Sequence, residues 1–383
     1  MAHVCPQGTG RLVPAGGGPA AVSTLDWIEL AAGLLLVWVI LRDLFVGVIV
    51  PRPARGRVRP SNLVVRASWR AWRWVGNRAS DTVVREARLG VFAPLSLILL
   101  LLVWVVGLIL GYGLVFNALR EQLSPVPPDL GTSFYFSGVS FLTIGYGDVV
   151  PVGPVARFLA LLEGATGLGV VAVVISLLFS LYGSFQRREV LTITLDALAG
   201  APPSGVVLLE NSLRNAMLDH LDETLDEWKL WAAEVLESHL AYPVLAYFRS
   251  SHDNESWVSA IGAILDASVL IITTVEDIPR GPARLTYGVG SHLVEDLSWF
   301  FNFSHEHAPG IERFEFDQAC DRLLEAGYTL TDRDLAWAKF SDLRSAYAMP
   351  LNEMGRYWSI PPAQWIGDRS YLPHKDEPRH PER

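Results

Sequence analysis

Three long apolar runs interrupt the chain: Leu25 to Val50, Val91 to Leu119 and Val155 to Gly183. Each reaches the roughly 20 residues a helix needs to cross a bilayer at 1.5 Å rise per residue. The pattern therefore predicts three spanning helices. Between the second and third lies "PDLGTSFYFSGVSFLTIGYGDVVPVGP". It offers a short helical stretch, Leu130 to Leu142, opened by Asp129 or Thr132 as N-cap, and too short to span. A segment follows in which Gly145 and Gly147 alternate with Ile144 and Tyr146, suited to neither helix nor strand. Irregular backbone at membrane depth is tolerated only inside protein or beside water, so this is read as a re-entrant loop.

The second half has a different rhythm. Residues 205 to 240 read as one amphipathic helix, with Leu213, Met217, Leu221, Leu225, Trp228 and Val235 on one stripe and Asp219, Asp222, Glu223, Asp226 and Glu227 opposite. Further helices are predicted at 254–276, 286–303, 312–327 and 331–347, the last opened by a capping box from Thr331 to Asp334. The apolar stretch from Trp257 to Val275 reads as a buried core helix rather than a fourth span, since Asp266 would stand in mid-membrane between acidic flanks. "YGVGSHLVED" lacks a preceding strand and a third glycine, which removes a dinucleotide-binding fold. The second half is read as all-α.

Charge orients these elements. Residues 1–185 carry 14 Arg against 9 Asp and Glu, a net of +5, whereas 186–383 carry 17 basic and 31 acidic residues, a net of −14. The acidity argues against a nucleic-acid partner. Ten arginines fall between Pro51 and Arg88 with only Asp81 and Glu86 against them, so that loop is placed in the cytoplasm. The N-terminus and residues 120–154 then face outside, and residues 186–383 face the cytoplasm, as Arg187 and Arg188 agree. Arg66, Arg70 and Arg73 recur at helical spacing among Trp69, Trp72 and Trp74. That suits a helix lying on anionic lipid headgroups, with Arg187 and Arg188 nearby, better than a voltage sensor, which needs its arginines in a spanning helix. Residues 1–23 are read as a disordered extracellular segment without the basic region of a signal peptide. Cys5 and Cys320 are too far apart in sequence and compartment to imply a disulfide framework. His239, His252, His292, His305 and His307 lack metal-ligand spacing, and no metal is expected beyond a permeating ion. The excess of 28 Arg over 3 Lys is read as a GC-rich, bacterial composition.

The run "TIGYGD", with "YFSGVSFL" before it and Pro151 after it, closely resembles the signature of tetrameric potassium channels, and its helix, loop, helix frame matches too. The resemblance covers about residues 90 to 185. Together with the apolar runs and the charge reading, it implies an all-α membrane protein with the pore-loop potassium-channel fold, one extra N-terminal transmembrane helix on the periphery (24–50), an Arg-rich cytoplasmic linker (51–90) and a pore domain (91–185). Within that domain fall a pore helix (130–142), a filter (143–148) and an inner helix (155–183). An acidic helical cytoplasmic domain (186–370) and a disordered tail (371–383) follow. Backbone carbonyls of Thr143, Ile144, Gly145 and Tyr146, with the Thr143 hydroxyl, would replace the water shell of potassium, and Gly147 and Asp148 complete the filter. One filter per chain requires a fourfold ring, hence a homotetramer.

Within the family an aromatic residue of the pore helix hydrogen-bonds the filter aspartate, which implies Tyr135 with Asp148. Val139 stands where some members carry a glutamate, and Leu142 stands where a threonine is common. A gating hinge is implied at Gly167, with Gly164 and Gly169 beside it; close packing on small residues is the other reading. Glu163, inside the inner helix, needs a partner or water. The expectation is a potassium-selective channel of the bacterial plasma membrane, not an enzyme and without cofactor, whose gating input is read by the cytoplasmic domain. The alternative is a membrane-anchored signalling or scaffold protein with a vestigial pore.

Overall fold

The computed structural model describes residues 23–48, 60–79, 81–250, 254–303 and 306–366. The expectations for the N-terminal segment before Ser23, for the tail 371–383, and for Cys5, His252 and His305 fall outside them. The helices in chain order are α1 Thr24–Val48, α2 Pro60–Gly76, α3 Thr82–Gly90, α4 Phe92–Ala118, α5 Leu130–Phe141, α6 Pro154–Ala199, α7 Gly205–Arg214, α8 Leu221–Ala241, α9 Trp257–Thr273, α10 Arg280–Phe301, α11 Arg313–Ala326, α12 Arg333–Ser345 and α13 Ala348–Trp358. Strands β1 Leu123–Ser124 and β2 Val150–Pro151 form a two-residue antiparallel pair. Three helical segments are long and apolar enough to cross a membrane: Thr24–Val48, Val83–Ala118 and Pro154–Ala199. The inner helix thus does not end near Gly183 but runs unbroken to Ala199.

The described residues fall into two compact units, those within 1–39 and 105–169 and those within 40–104 and 170–383. In the first, α1 and α4 touch through glycine. A β-carbon on Gly33 would lie 2.6 Å from the Gly111 carbonyl, and one on Gly111 would lie 2.7 Å from Val37, so the two backbones approach as small residues permit in lipid. Polar contacts continue the attachment. Arg120 pairs with Asp26 at 2.7 Å, Asn117 donates to Glu29 at 2.7 Å, and Ser133 of α5 donates to Asn117 at 3.1 Å. Phe116 meets Phe136 edge to face at 4.8 Å between ring centres.

The second unit is built around α9. From Trp257 to Ile271 every residue of that helix is buried. At 17 residues it is a core helix, as its acidic flanks suggested, rather than a span. Asp266 is not stranded there: Arg344 Nε donates to it at 2.9 Å and the Tyr347 hydroxyl at 2.6 Å, while Arg344 also donates to Pro309 O and, at 2.8 Å, to Trp365 O. A buried ion pair is tolerable when its remaining donors are satisfied in this way. Cys320 is buried too, and burial pushes its thiol up to about 12, which leaves it inert.

Several expected boundaries move. The single helix expected over 205–240 is two, because Ala216 takes a left-handed φ of 53° and the Met217 N–H closes back on Ser212 O at 2.8 Å, ending α7 in a C-cap turn. The cap of α12 is Asp332 rather than Thr331: its carboxylate accepts from Asp334 N and Leu335 N, both at 3.1 Å. Helix α10 begins at Arg280, six residues before the expected 286, and α13 was not anticipated.

The arginine row needs a larger correction. In α2, Val65 and Trp69 are buried, with Trp69 packed on Phe92 and Tyr247. Arg66 donates to Phe300 O at 3.3 Å, and Arg73 and the Trp69 indole both donate to Tyr357 O at 3.1 Å. These carbonyls lie in the last turns of α10 and α13, where helix ends want cations. Arg66 and Arg73 therefore donate to the C-terminal turns of α10 and α13 in the second half of the chain. Arg70 is exposed, on the same side as Leu63 and Trp74. The N-terminus of α2 is held by Asp43 of α1, which accepts from Ser61 N at 3.2 Å, Ser61 Oγ at 3.0 Å and the Trp104 indole at 2.9 Å.

Arg188 is corrected outright. Only 2% exposed, it cannot reach a headgroup. Its guanidinium donates to Glu189 Oε1 at 2.9 Å, to His239 Nε2 at 3.1 Å, to Leu245 O at 3.0 Å and to Phe248 O at 2.8 Å. The always-charged guanidinium makes His239 Nε2 the acceptor, so the imidazole is neutral with its proton on Nδ1. Burial, and then the Arg188 charge, hold His239 well below its ordinary value. Arg187, by contrast, is exposed beside Glu234 at 3.7 Å.

Candidate functional site

The site is assembled by α5 and the loop that leaves it. Asp129 caps α5, accepting from Thr132 N at 2.7 Å. The far end closes with Leu142 N on Gly138 O at 3.0 Å, Thr143 N on Ser140 O at 3.1 Å and Ile144 N on Val139 O at 2.9 Å. Val139 is buried and supplies that last carbonyl; Leu142 is exposed on the protomer. From there φ is positive at Thr143 (55°), Gly145 (64°) and Gly147 (79°) and at neither Ile144 nor Tyr146. This alternation allows successive carbonyls to share one side of the chain. At Thr143 it is held against the steric preference of a β-branched residue, a strain found where backbone geometry matters for function. Residues Leu142 to Asp148 are all exposed on the isolated chain.

Asp148 is held from behind. The Tyr135 hydroxyl, on α5, donates to Asp148 Oδ2 at 2.8 Å, the contact the resemblance implied. A hydrogen bond to a charged group contributes about 1.5–3 kcal/mol, though less where water reaches the pair. Tyr135→Phe is expected to leave assembly and peak selectivity unchanged and to speed entry into a non-conducting state. Asp148→Asn should do the same, and the double variant less than the sum; additive effects in single-channel recordings would place the support elsewhere.

The three glycines of α6 differ sharply. A β-carbon on Gly167 would lie 2.1 Å from the Phe141 carbonyl at the end of α5. One on Gly164 would meet Ser140 O at an ordinary 3.7 Å, and one on Gly169 would meet nothing within 4 Å. Gly167 is thus a packing contact in this structure, and α6 continues as helix through it.

One polar contact of the site escaped prediction by spacing. Glu163 of α6 and Ser137 of α5 are both fully buried, and Ser137 Oγ lies 2.5 Å from Glu163 Oε1 and 2.9 Å from Ile109 O of α4. A glutamate in an apolar helix announces that it needs a partner, but Ser137 is 26 residues away with no local pattern to tie them. Among the described residues no cluster of His, Cys, Asp or Glu could hold a metal ion.

Residues 98–183 match the family described as "Ion channel". The chain is 25% identical over 205 residues, 52% of its length, to the uncharacterized membrane protein YdjJ of Bacillus subtilis (strain 168), covering 59% of that protein. It is 31% identical over 85 residues, 19% of its length, to Protein LctB of Bacillus caldotenax, covering 63% of that protein. Protein LctB of Geobacillus stearothermophilus gives the same figures. The matches thus span less than two thirds of each of these relatives. No solved structure matches. With three helices long and apolar enough to cross a membrane and bacterial membrane-protein kin, this is a multi-pass protein of the bacterial plasma membrane whose residues 98–183 match an ion-channel pore domain.

Proposed function

We propose that the protein is a homotetrameric, potassium-selective channel. The observation that carries this reading is the backbone from Thr143 to Gly147, whose alternating φ suits a ladder of carbonyl ligands, with Asp148 held by Tyr135. Carbonyls of Thr143, Ile144, Gly145 and Tyr146 would take the place of the ion's water shell, and several adjacent sites of moderate affinity let one ion displace the next. One chain supplies only one side of such a cage, so four chains must surround the ion. Exposed apolar residues on α6 support self-association: Leu161 (76%), Leu168 (63%), Ile175 (49%) and Tyr182 (63%) recur every seven residues, the repeat of a helix seam. The Arg-rich linker and the helical second half are assigned to the cytoplasm by the positive-inside rule, which puts the filter on the outer side. No reaction chemistry is assigned to the chain.

Purified protein in liposomes should pass potassium, and reversal potentials in mixed potassium and sodium should lie close to the potassium equilibrium value. Equal permeability of the two ions would overturn the selectivity. A folded, membrane-inserted protein that passes neither would favour the scaffold alternative.

A further inference from the structure

The hydroxyl of Ser137 has one proton and two acceptor oxygens beside it, Ile109 O at 2.9 Å and Glu163 Oε1 at 2.5 Å. A backbone carbonyl can only accept. If Ser137 donates to Ile109 O, an ionised Glu163 would oppose lone pair to lone pair at a contact length typical of a strong O–H···O bond. If Ser137 donates to Glu163 instead, Ile109 O loses that donor and a buried carboxylate is left with a single hydrogen bond. One arrangement satisfies all three groups. Glu163 carries a proton and donates it to Ser137 Oγ, and Ser137 donates to Ile109 O.

The surroundings favour the same assignment. Glu163 is wholly buried, and its second oxygen has no hydrogen-bond partner. No cation lies within ion-pair distance of it among the described residues. An ionised carboxylate there would be unpaired at high cost, whereas a neutral acid leaves only a carbonyl oxygen unmatched. The titratable group facing it from α4 is Tyr112, whose hydroxyl is 3.2 Å from Thr166 Oγ1 of α6; from α5 it meets the uncharged Ser137.

This joint binds three helices at one point, and it is in register with a second contact. Four residues on from Ser137 is Phe141, and four residues on from Glu163 is Gly167, the glycine that abuts the Phe141 carbonyl. The pore helix therefore rests on the inner helix at two successive turns just before Thr143. We propose that Glu163 is a positioning residue that keeps its proton in the folded channel and, through Ser137, holds the pore helix against the inner helix. Loss of that proton releases α5 and stops conduction. This rests on the channel reading, but the proton itself can be observed without permeation.

Infrared difference spectra of wild-type and E163Q proteoliposomes should show a protonated-carboxyl band in the wild type that the variant lacks. Flux from neutral to strongly alkaline pH should fall in the wild type and stay level in E163Q, whose amide still donates to Ser137. E163A and S137A should shift the ratio of conducting to non-conducting channels by roughly tenfold, the effect of one lost buried hydrogen bond. Absence of the band, or E163Q losing flux as E163A does, would overturn the proposal. A normal band in a protein that never conducts would uphold the proton assignment and sink the channel reading.

Discussion

Gly167→Ala is expected to remove most ion flux while chains still insert and assemble. A β-carbon there would sit 2.1 Å from a backbone carbonyl, not from the tip of a flexible side chain. To reach ordinary contact, α5 and α6 must separate by roughly 1–1.5 Å. Overpacking of this kind costs about 1–3 kcal/mol and sometimes more, and the displaced atom belongs to Phe141, two residues before Thr143. The damage should appear in the filter as lost selectivity or lost conductance. Gly169→Ala is the control: its β-carbon meets nothing within 4 Å, so flux should be kept and the helix should gain about 1 kcal/mol from propensity. A hinge at Gly167 predicts a different outcome, an altered open probability with conductance and selectivity intact. That result would count against the packing account.

Arg188→Leu should destabilise the helical second unit by about 3–5 kcal/mol, the range for removing one partner of a buried ion pair. The change leaves the Glu189 carboxylate without its cation and Leu245 O, Phe248 O and His239 Nε2 without their donor. Because Arg188 sits on α6, the same loss should loosen the hold of that helix on α8 and the turn after it. Thermal unfolding of the full chain in detergent measures the cost, and Arg187→Leu, at an exposed position, should cost less than about 0.5 kcal/mol. Pairing Arg188→Leu with Glu189→Leu should recover much of the loss, since an apolar pair has no charge to strand. Equal melting of Arg188→Leu and the wild type would remove the pin.

What could be read along the chain was whatever depends on neighbours in sequence. The three apolar runs, the short helix from Leu130 and the Gly-alternating segment are contiguous, and their length and periodicity follow from helix rise and from glycine's access to positive φ. The TIGYGD word carried the resemblance to potassium channels because it too is contiguous. Asp266 in an apolar run was legible as well, since its charge alone argued against a span. Sequence spacing failed where a residue's meaning lies in a distant partner. Arg66, Arg73 and Arg188 look alike as cations near a membrane, yet the fold gives each at least one carbonyl acceptor more than 50 residues away. Gly167 could hinge or pack until the end of α5 was found against it, and Glu163 showed a need for a partner without naming Ser137. Local dihedral preference and bilayer thickness determined the helices and the loop from sequence alone. Tertiary structure decided which polar groups lose water together, because burial of a charge or a glycine's missing side chain acquires its energy only from the atoms packed against it.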